Sequence, residues 1–287
     1  MSLRTGIVGL GYVGGALRKG FELHNVPIET YDLNENTNPS QKTLQSLTEV
    51  SDIIYVCVPT PMKFSGECDT SIVESVVSDI CVSASTPKII VIKSTVPPGT
   101  TERLQEKTQT HTVLFSPEFL TEANYLNDFL NQELMLVGKP KGIVSNFAWL
   151  ALENQQSATD FVKSSMVVDA TTAELFKYLA NVFLSVKVSF ANEMAVLAEK
   201  LGVDWEDMRS LILHDSRLGN SHWKVPGPDG HRGFGGTCFP KDTSALIHHA
   251  KQLGLNVPVV ESAWNRNISI DRPEKDWEQL KGRAVKN

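Results

Sequence analysis

Thr5-Gly6-Ile7-Val8-Gly9-Leu10-Gly11-Tyr12-Val13-Gly14-Gly15-Ala16-Leu17 reads as a short apolar strand running into G-x-G-x-x-G and then opening a helix. In a dinucleotide site the first such glycine makes the tight turn and the second admits the pyrophosphate. The third lets helix pack on strand, and the helix N-terminus faces the phosphates. Gly9, Gly11 and Gly14 stand at these places, with Tyr12 and Val13 between the last two. A second strand candidate, residues 27–31, is followed by Asp32, about 20 residues on, where a carboxylate bonds the ribose 2′-hydroxyl of NAD and repels the 2′-phosphate of NADP. The glycines alone would also suit a turn without a ligand. With strand, helix and Asp32 in register, the pattern points to NAD.

Outward from this turn, strand and helix candidates alternate as in an open parallel sheet. Residues 53–58 form a continuous apolar run, as expected of a strand buried on both faces, and stop at Pro59-Thr60-Pro61. Residues 72–82 suit a helix. Residues 88–93 repeat the strand pattern and end at Ser94-Thr95-Val96-Pro97-Pro98-Gly99, residues 112–115 end at Ser116-Pro117-Glu118-Phe119-Leu120-Thr121-Glu122, and 134–137 is a further strand. Ligands bind beyond the carboxyl ends of strands in such sheets, so the loops bearing Thr60, Thr95, Glu118 and Glu122 are expected on the edge of the glycine turn.

The period then changes. Over residues 172–200 apolar positions recur at helical spacing, with Thr171 and Glu174 reading as a capping box and Gly202 as the stop. Lys177 and Asn181 lie one turn apart on this helix. A lone lysine is usually solvated, but Phe176, Leu179, Ala180 and Phe183 make these surroundings apolar. Further helices are expected over 205–214 and 243–253, and the mixed charge from residue 271 onward reads as a frayed helix or tail. The expected architecture is a Rossmann-type doubly wound α/β domain over 1–168, an all-α central domain over 169–270 and a charged tail over 271–287.

Composition suits an enzyme of two cores: 287 residues, 41% hydrophobic, with a net charge of −6 that gives no reason to expect nucleic acid or an anionic membrane as partner. No basic leader with a long apolar run and no bilayer-length apolar stretch is seen, so a cytoplasmic setting is expected. The four cysteines, Cys57, Cys68, Cys81 and Cys238, show no C-x-x-C spacing, which indicates neither a zinc site nor a disulfide framework. Cys238 stands apart. In Gly233-Phe234-Gly235-Gly236-Thr237-Cys238-Phe239-Pro240-Lys241-Asp242 it is flanked by glycines that admit a substrate, a lysine that favours thiolate, and a carboxylate one helical turn on. A buried structural thiol in a glycine-rich turn is the alternative for this segment taken alone.

Together these motifs resemble the nucleotide-sugar dehydrogenases typified by UDP-glucose 6-dehydrogenase, in one order over nearly the whole chain. The resemblance rests on Gly9-Leu10-Gly11-Tyr12-Val13-Gly14, Val58-Pro59-Thr60-Pro61 with Gly66 and Asp69, Ser94-Thr95-Val96-Pro97, Ser116-Pro117-Glu118-Phe119-Leu120, the helix with Lys177 and Asn181, and the segment around Cys238. It implies a central domain like that of 6-phosphogluconate dehydrogenase and a four-electron, NAD-dependent oxidation of UDP-glucose to UDP-glucuronate. Cys238 would form the thiohemiacetal and thioester, and Lys177 and Asn181 would stabilise the oxyanion. Asp242 would act in proton transfer, with Thr95 and Glu122 placing water. The implied cofactor contacts are Gly9, Gly11, Tyr12, Val13, Gly14, Asp32, Pro59, Thr60, Thr95, Glu122 and Lys241. Those for the nucleotide sugar are Glu118, Phe119, Leu120, Lys177, Asn181, Lys224, Phe234, Gly235 and, across a homodimer built on the central helix, Arg217.

The chain departs from the family pattern in three places. Complete members continue into a third domain over the nucleotide, so this chain is expected to lack much of the UDP grip; Leu134 stands where the family usually has Arg; and the link over 220–232 is long. Either Lys224 or Arg232 in that link meets phosphate, or the link is a variant loop. GDP-mannose and UDP-N-acetylmannosamine are rival substrates, and a truncated NAD-binding subunit without turnover is the alternative of another class.

Overall fold

Short apolar runs bounded by turn residues build the first part of the chain. In order they give β1 (Thr5–Val8), α1 (Tyr12–Leu23), β2 (Ile28–Tyr31), α2 (Leu44–Val50), β3 (Ile53–Val56), α3 (Ser71–Ser83), β4 (Ile89–Ile92), α4 (Thr100–Glu106), β5 (Thr112–Phe115), α5 (Tyr125–Leu130), β6 (Asn131–Lys139), α6 (Ser145–Gln156) and β7 (Phe161–Asp169). There follow α7 (Ala170–Leu201), α8 (Trp205–His214), α9 (Cys238–Gln252) and α10 (Pro258–Arg266). The computed structural model describes residues 3–34 and 43–286. They fall into two units, one of residues 1–60 with 70–177 and the other of 61–69 with 178–287.

The first unit is a seven-stranded sheet in the order β2-β1-β3-β4-β5-β6-β7. Strands β1 to β5 run parallel, so their carboxyl ends share one edge. β1, β3, β4 and β5 are buried on both faces, with alternate residues feeding two cores, while the edge strand β2 is only partly buried. Ile53, Tyr55 and Val91 pack with Ala16, Leu17 and Phe21 of α1 and Ala151 and Leu152 of α6. On the opposite face Ile54, Val56 and Ile92 pack with Leu47 of α2 and Val73, Val77 and Ile80 of α3. This is the doubly wound architecture expected from the sequence. β6 departs from an all-parallel sheet: it meets β5 antiparallel, through Phe115 and Gly138, and pairs parallel with β7.

The second unit is helical. Along α7 a buried stripe of Tyr178, Asn181, Val182, Ser185, Ser189, Asn192 and Ala195 recurs at three- and four-residue spacing. The capping box expected from Thr171 and Glu174 does not form, because α7 begins at Ala170 and places Thr171 inside the helix. Residues 271–286 are not a frayed tail. Trp277 and Ala284 are fully buried, and Met62 bonds the Ala284 carbonyl and accepts from Lys286, because the charges of this segment find partners inside the unit. No described helix is long and apolar enough to cross a membrane.

Candidate active site

The glycine turn joins β1 to α1. Gly9 holds φ +88°, and a Cβ there would lie 2.6 Å from the Cys57 carbonyl oxygen. At Gly14 a Cβ would fall 1.8 Å from the Gly9 carbonyl oxygen, so turn and helix close on each other only with hydrogen at both places. Gly11 differs, since nothing lies within 4 Å of its hypothetical Cβ. It is also the N-cap of α1 and supplies no side-chain cap to the helix. Asp32, just past β2, accepts from Leu10 N through Oδ2 at 2.6 Å and from Asn34 N through Oδ1 at 2.8 Å. Open glycine, uncapped helix N-terminus and a fixed carboxylate fit the diphosphate and ribose of a dinucleotide.

The neighbouring strand ends carry more of the candidates. Beyond β3, Pro59 is exposed and Thr60 buried; beyond β4, Thr95 is buried; beyond β5, Glu118, Phe119 and Leu120 are partly buried. Glu118 is fixed at both oxygens. Its Oε2 accepts from Leu120 N at 2.7 Å, and its Oε1 lies 3.2 Å from Lys177 Nζ, which also donates to the Glu118 carbonyl at 2.6 Å. Lys177 is 3% exposed and sits over the Phe119 ring, 5.3 Å from its centroid, so it is not a solvated surface lysine. Glu122 lies exposed on the same loop.

Two buried groups near these loops carry no motif. Lys93, at the end of β4, donates to Gln155 Oε1 at 2.8 Å and the Ser116 carbonyl at 3.1 Å, and burial pushes its pKa down to about 8. Glu174 caps a different helix from the one it was expected to cap. Its carboxylate accepts from Gly99 N at 2.6 Å, Thr101 N at 2.8 Å and Thr101 Oγ1 at 2.6 Å, closing the N-terminus of α4 just past the Thr95 loop. Burial pushes its pKa up to about 7 even though all three donors favour the charged form. Sequence spacing cannot reveal either partner set, since each joins elements tens of residues apart.

In the second unit α9 begins at Cys238, earlier than the 243 read from the sequence, and Thr237 offers no side-chain cap. The thiol therefore stands in the first turn of a helix, and Asp242 follows one turn on. Asp242 is 1% exposed. It accepts from Asn181 Nδ2 at 2.6 Å and from Lys241 Nζ at 2.5 Å. Burial works to lower the pKa of Lys241, but Asp242, Cys238 and Cys68 outweigh it and hold the ammonium above the ordinary lysine range. Lys241 thus holds its charge against Asp242 and in electrostatic reach of the thiol.

The remaining candidates are scattered. Arg217, in a 3-10 turn (Ser216–Leu218), is 85% exposed and paired with Asp215, and Lys224 is also exposed. Phe234 is buried among Phe239 and Trp264, and its backbone N–H and C=O are both bonded to Asn267. Gly235 packs against Arg272. All four cysteines are free thiols.

Comparison with known proteins adds the following. Residues 34–146 match the NAD binding domain of the UDP-glucose/GDP-mannose dehydrogenase family, and residues 171–269 match its central domain. The chain is 34% identical over 256 residues to UDP-glucose 6-dehydrogenase TuaD of Bacillus subtilis (strain 168), covering 84% of this chain and 53% of that protein. It is 35% identical over 224 residues to a UDP-glucose 6-dehydrogenase of Rickettsia bellii, covering 76% and 49%. The chain therefore spans about half the length of these relatives. Among solved structures, a UDP-glucose dehydrogenase from the archaeon Pyrobaculum islandicum superposes with a TM-score of 0.81 at 29% identity, over 93% of this chain and 68% of that one.

Proposed function

The chain belongs to the UDP-glucose/GDP-mannose dehydrogenase family, and on that premise we propose that it oxidises the C6 alcohol of UDP-glucose to the carboxylate with NAD. The observation that carries this reading is the set around the first turn of α9: Cys238 opens the helix, and Lys241, Asp242 and Asn181 form one bonded group beside it. A helix N-terminus and an adjacent ammonium both favour a thiolate. NAD, when bound, accepts one hydride in each of the two oxidations.

Cys238 supplies what a four-electron reaction needs and a simple alcohol dehydrogenase lacks. It adds to the aldehyde as a thiohemiacetal, remains bound as a thioester after the second oxidation, and is released by water. Asn181 and Lys177 stabilise negative charge at the reacting oxygen, buried groups being most effective in that role. Asp242 handles the proton, and Thr95 and Glu122 position water. The first unit is the cofactor domain. Glycine turn, open Gly11 and Asp32 are the groups that would hold NAD.

The second unit also forms the homodimer interface. α7 is apolar on a second face, where Phe183, Phe190, Leu197 and Leu201 are 63%, 51%, 49% and 70% exposed, an apolar surface of the kind that marks association. A two-fold arrangement lets the exposed Arg217 of one subunit reach substrate in the other.

The test is NADH formation from NAD with a panel of UDP-glucose, GDP-mannose and UDP-N-acetylmannosamine. The reading requires turnover with UDP-glucose above the others. Turnover of another sugar would move the substrate, and NADH from none would leave an NAD-binding protein without dehydrogenase activity.

A further inference from the structure

The segment that reads in the sequence as a charged tail packs against the backbone that leads into Cys238. It lies largely beyond residue 269, where the match to the family's central domain ends. Asn267, fully buried, opens a single π-helical turn (Asn267–Asp271) after α10 and treats Phe234 as a strand would. Its Oδ1 accepts from Phe234 N at 2.8 Å, and its Nδ2 donates to the Phe234 carbonyl at 2.9 Å. Arg272 is 3% exposed. Its Nε and Nη2 donate to the two oxygens of Asp276 at 2.7 and 2.6 Å, while Nη1 lies 2.7 Å from Asp229 Oδ2 on the approach to the turn.

With its charge matched by two carboxylates, the guanidinium serves as a wall. A Cβ on Gly235 would stand 2.4 Å from Arg272 Cζ, and one on Gly233 would stand 2.3 Å from Asn267 Oδ1. Both glycines are therefore pressed against this segment, and Gly236, next in line, has nothing within 4 Å of its hypothetical Cβ. The turn is clamped on one side and open on the other, two residues before the thiol.

We propose that Arg272, with Asn267, is a positioning residue for Cys238, fixing the 233–237 turn so that the thiol enters the first turn of α9 beside Lys241. The proposal rests on the reading of Cys238 as nucleophile. A shift of about 1 Å in a reacting group is enough to cost about a hundredfold in rate, so the clamp acts on turnover and on thiol chemistry together.

The experiment uses the full chain and two variants that disturb the contact from opposite sides, Arg272→Lys and Gly235→Ala. Alkylation of Cys238 by iodoacetamide is followed against pH by peptide mass spectrometry, alongside kcat, KM for NAD and thermal unfolding. In both variants the labelling midpoint of Cys238 rises by about one pH unit and kcat falls about tenfold or more with KM for NAD unchanged. The double variant is no worse than the poorer single one. Where Arg272→Lys melts below the assay temperature, Gly235→Ala, which keeps Arg272, Asp229 and Asp276 in the chain and displaces the guanidinium from the turn side, decides alone. An unchanged midpoint and kcat in folded variants overturn the proposal. If the parent oxidises no nucleotide sugar, the catalytic reading falls, and the labelling midpoint still reports whether Arg272 places the thiol.

Discussion

Asn181 on α7 donates its amide to Asp242 on α9 across 2.6 Å, and both side chains are more than nine-tenths buried. The bond fixes the Asp242 carboxylate from one side while Lys241 holds it from the other. Asp242→Asn removes the charge that Lys241 faces and places an amide against the Asn181 amide. Removing one partner of a buried ion pair costs roughly 3–5 kcal/mol. The expected outcome is a lower melting temperature and a kcat reduced about a hundredfold or more, with NAD affinity by isothermal titration within about twofold of the parent. Parental turnover in the variant would remove Asp242 from the proton path.

Glu174 gives a pH signature. Its folded pKa of about 7 stands above the unfolded value of 4.5, so between those values the folded state holds the extra proton. This contribution is present in full below about pH 4.5 and is lost as pH rises through 7. Glu174→Gln removes the titration. Between pH 5 and pH 8 the variant should gain on the parent by roughly 2–3 kcal/mol in denaturant unfolding, whatever its absolute stability. A constant gap would mean that the carboxylate is charged throughout.

On the proposed reading, Asp32 sets the choice of dinucleotide. Its Oδ2 already accepts from Leu10 N, which keeps a carboxylate where the 2′ position of a bound nucleotide would come. Catalytic efficiency with NAD should exceed that with NADP by about tenfold or more, and Asp32→Ala should narrow the gap. Equal efficiency in the parent would reject the assignment.

The apolar outer face of α7 implies a dimer at micromolar concentration by light scattering. Phe183→Glu, placed at a 63% exposed position, should shift the mass toward monomer without unfolding the chain, because most of the side chain already lies in solvent in the single chain. A fully active parental monomer would dismiss both the interface and the shared role of Arg217.

The parts legible in the sequence were those whose signal is local. β1 with its glycines, the buried strands β3 and β4, and α8 are each written in a continuous run or in one helical period, and the structure places them within a residue or two of the expected bounds. α6 and β7 escaped, since α6 exposes Phe147, Trp149 and Leu150 as well as burying Ala148, Ala151 and Leu152 and so lacks a clean apolar stripe. Glu174 misleads for a different reason. Its spacing from Thr171 imitates a cap, while its hydrogen bonds run to Gly99 and Thr101, more than 70 residues away. The same holds for residues 271–286, where dense charge suggests solvent until Arg272 meets Asp229 and Asp276 and Trp277 is buried against Trp264.

The central claim is a covalent path through Cys238, and the stoichiometry of NADH to sugar tests it most directly. With limiting UDP-glucose and excess NAD, the parent should form two NADH for each UDP-glucose consumed, with UDP-glucuronate as the product. Cys238→Ser, a far weaker nucleophile at neutral pH, should bind NAD as the parent does yet form no uronate at an appreciable rate. Uronate production by the serine variant at the parental rate, with two NADH per sugar, would contradict the account.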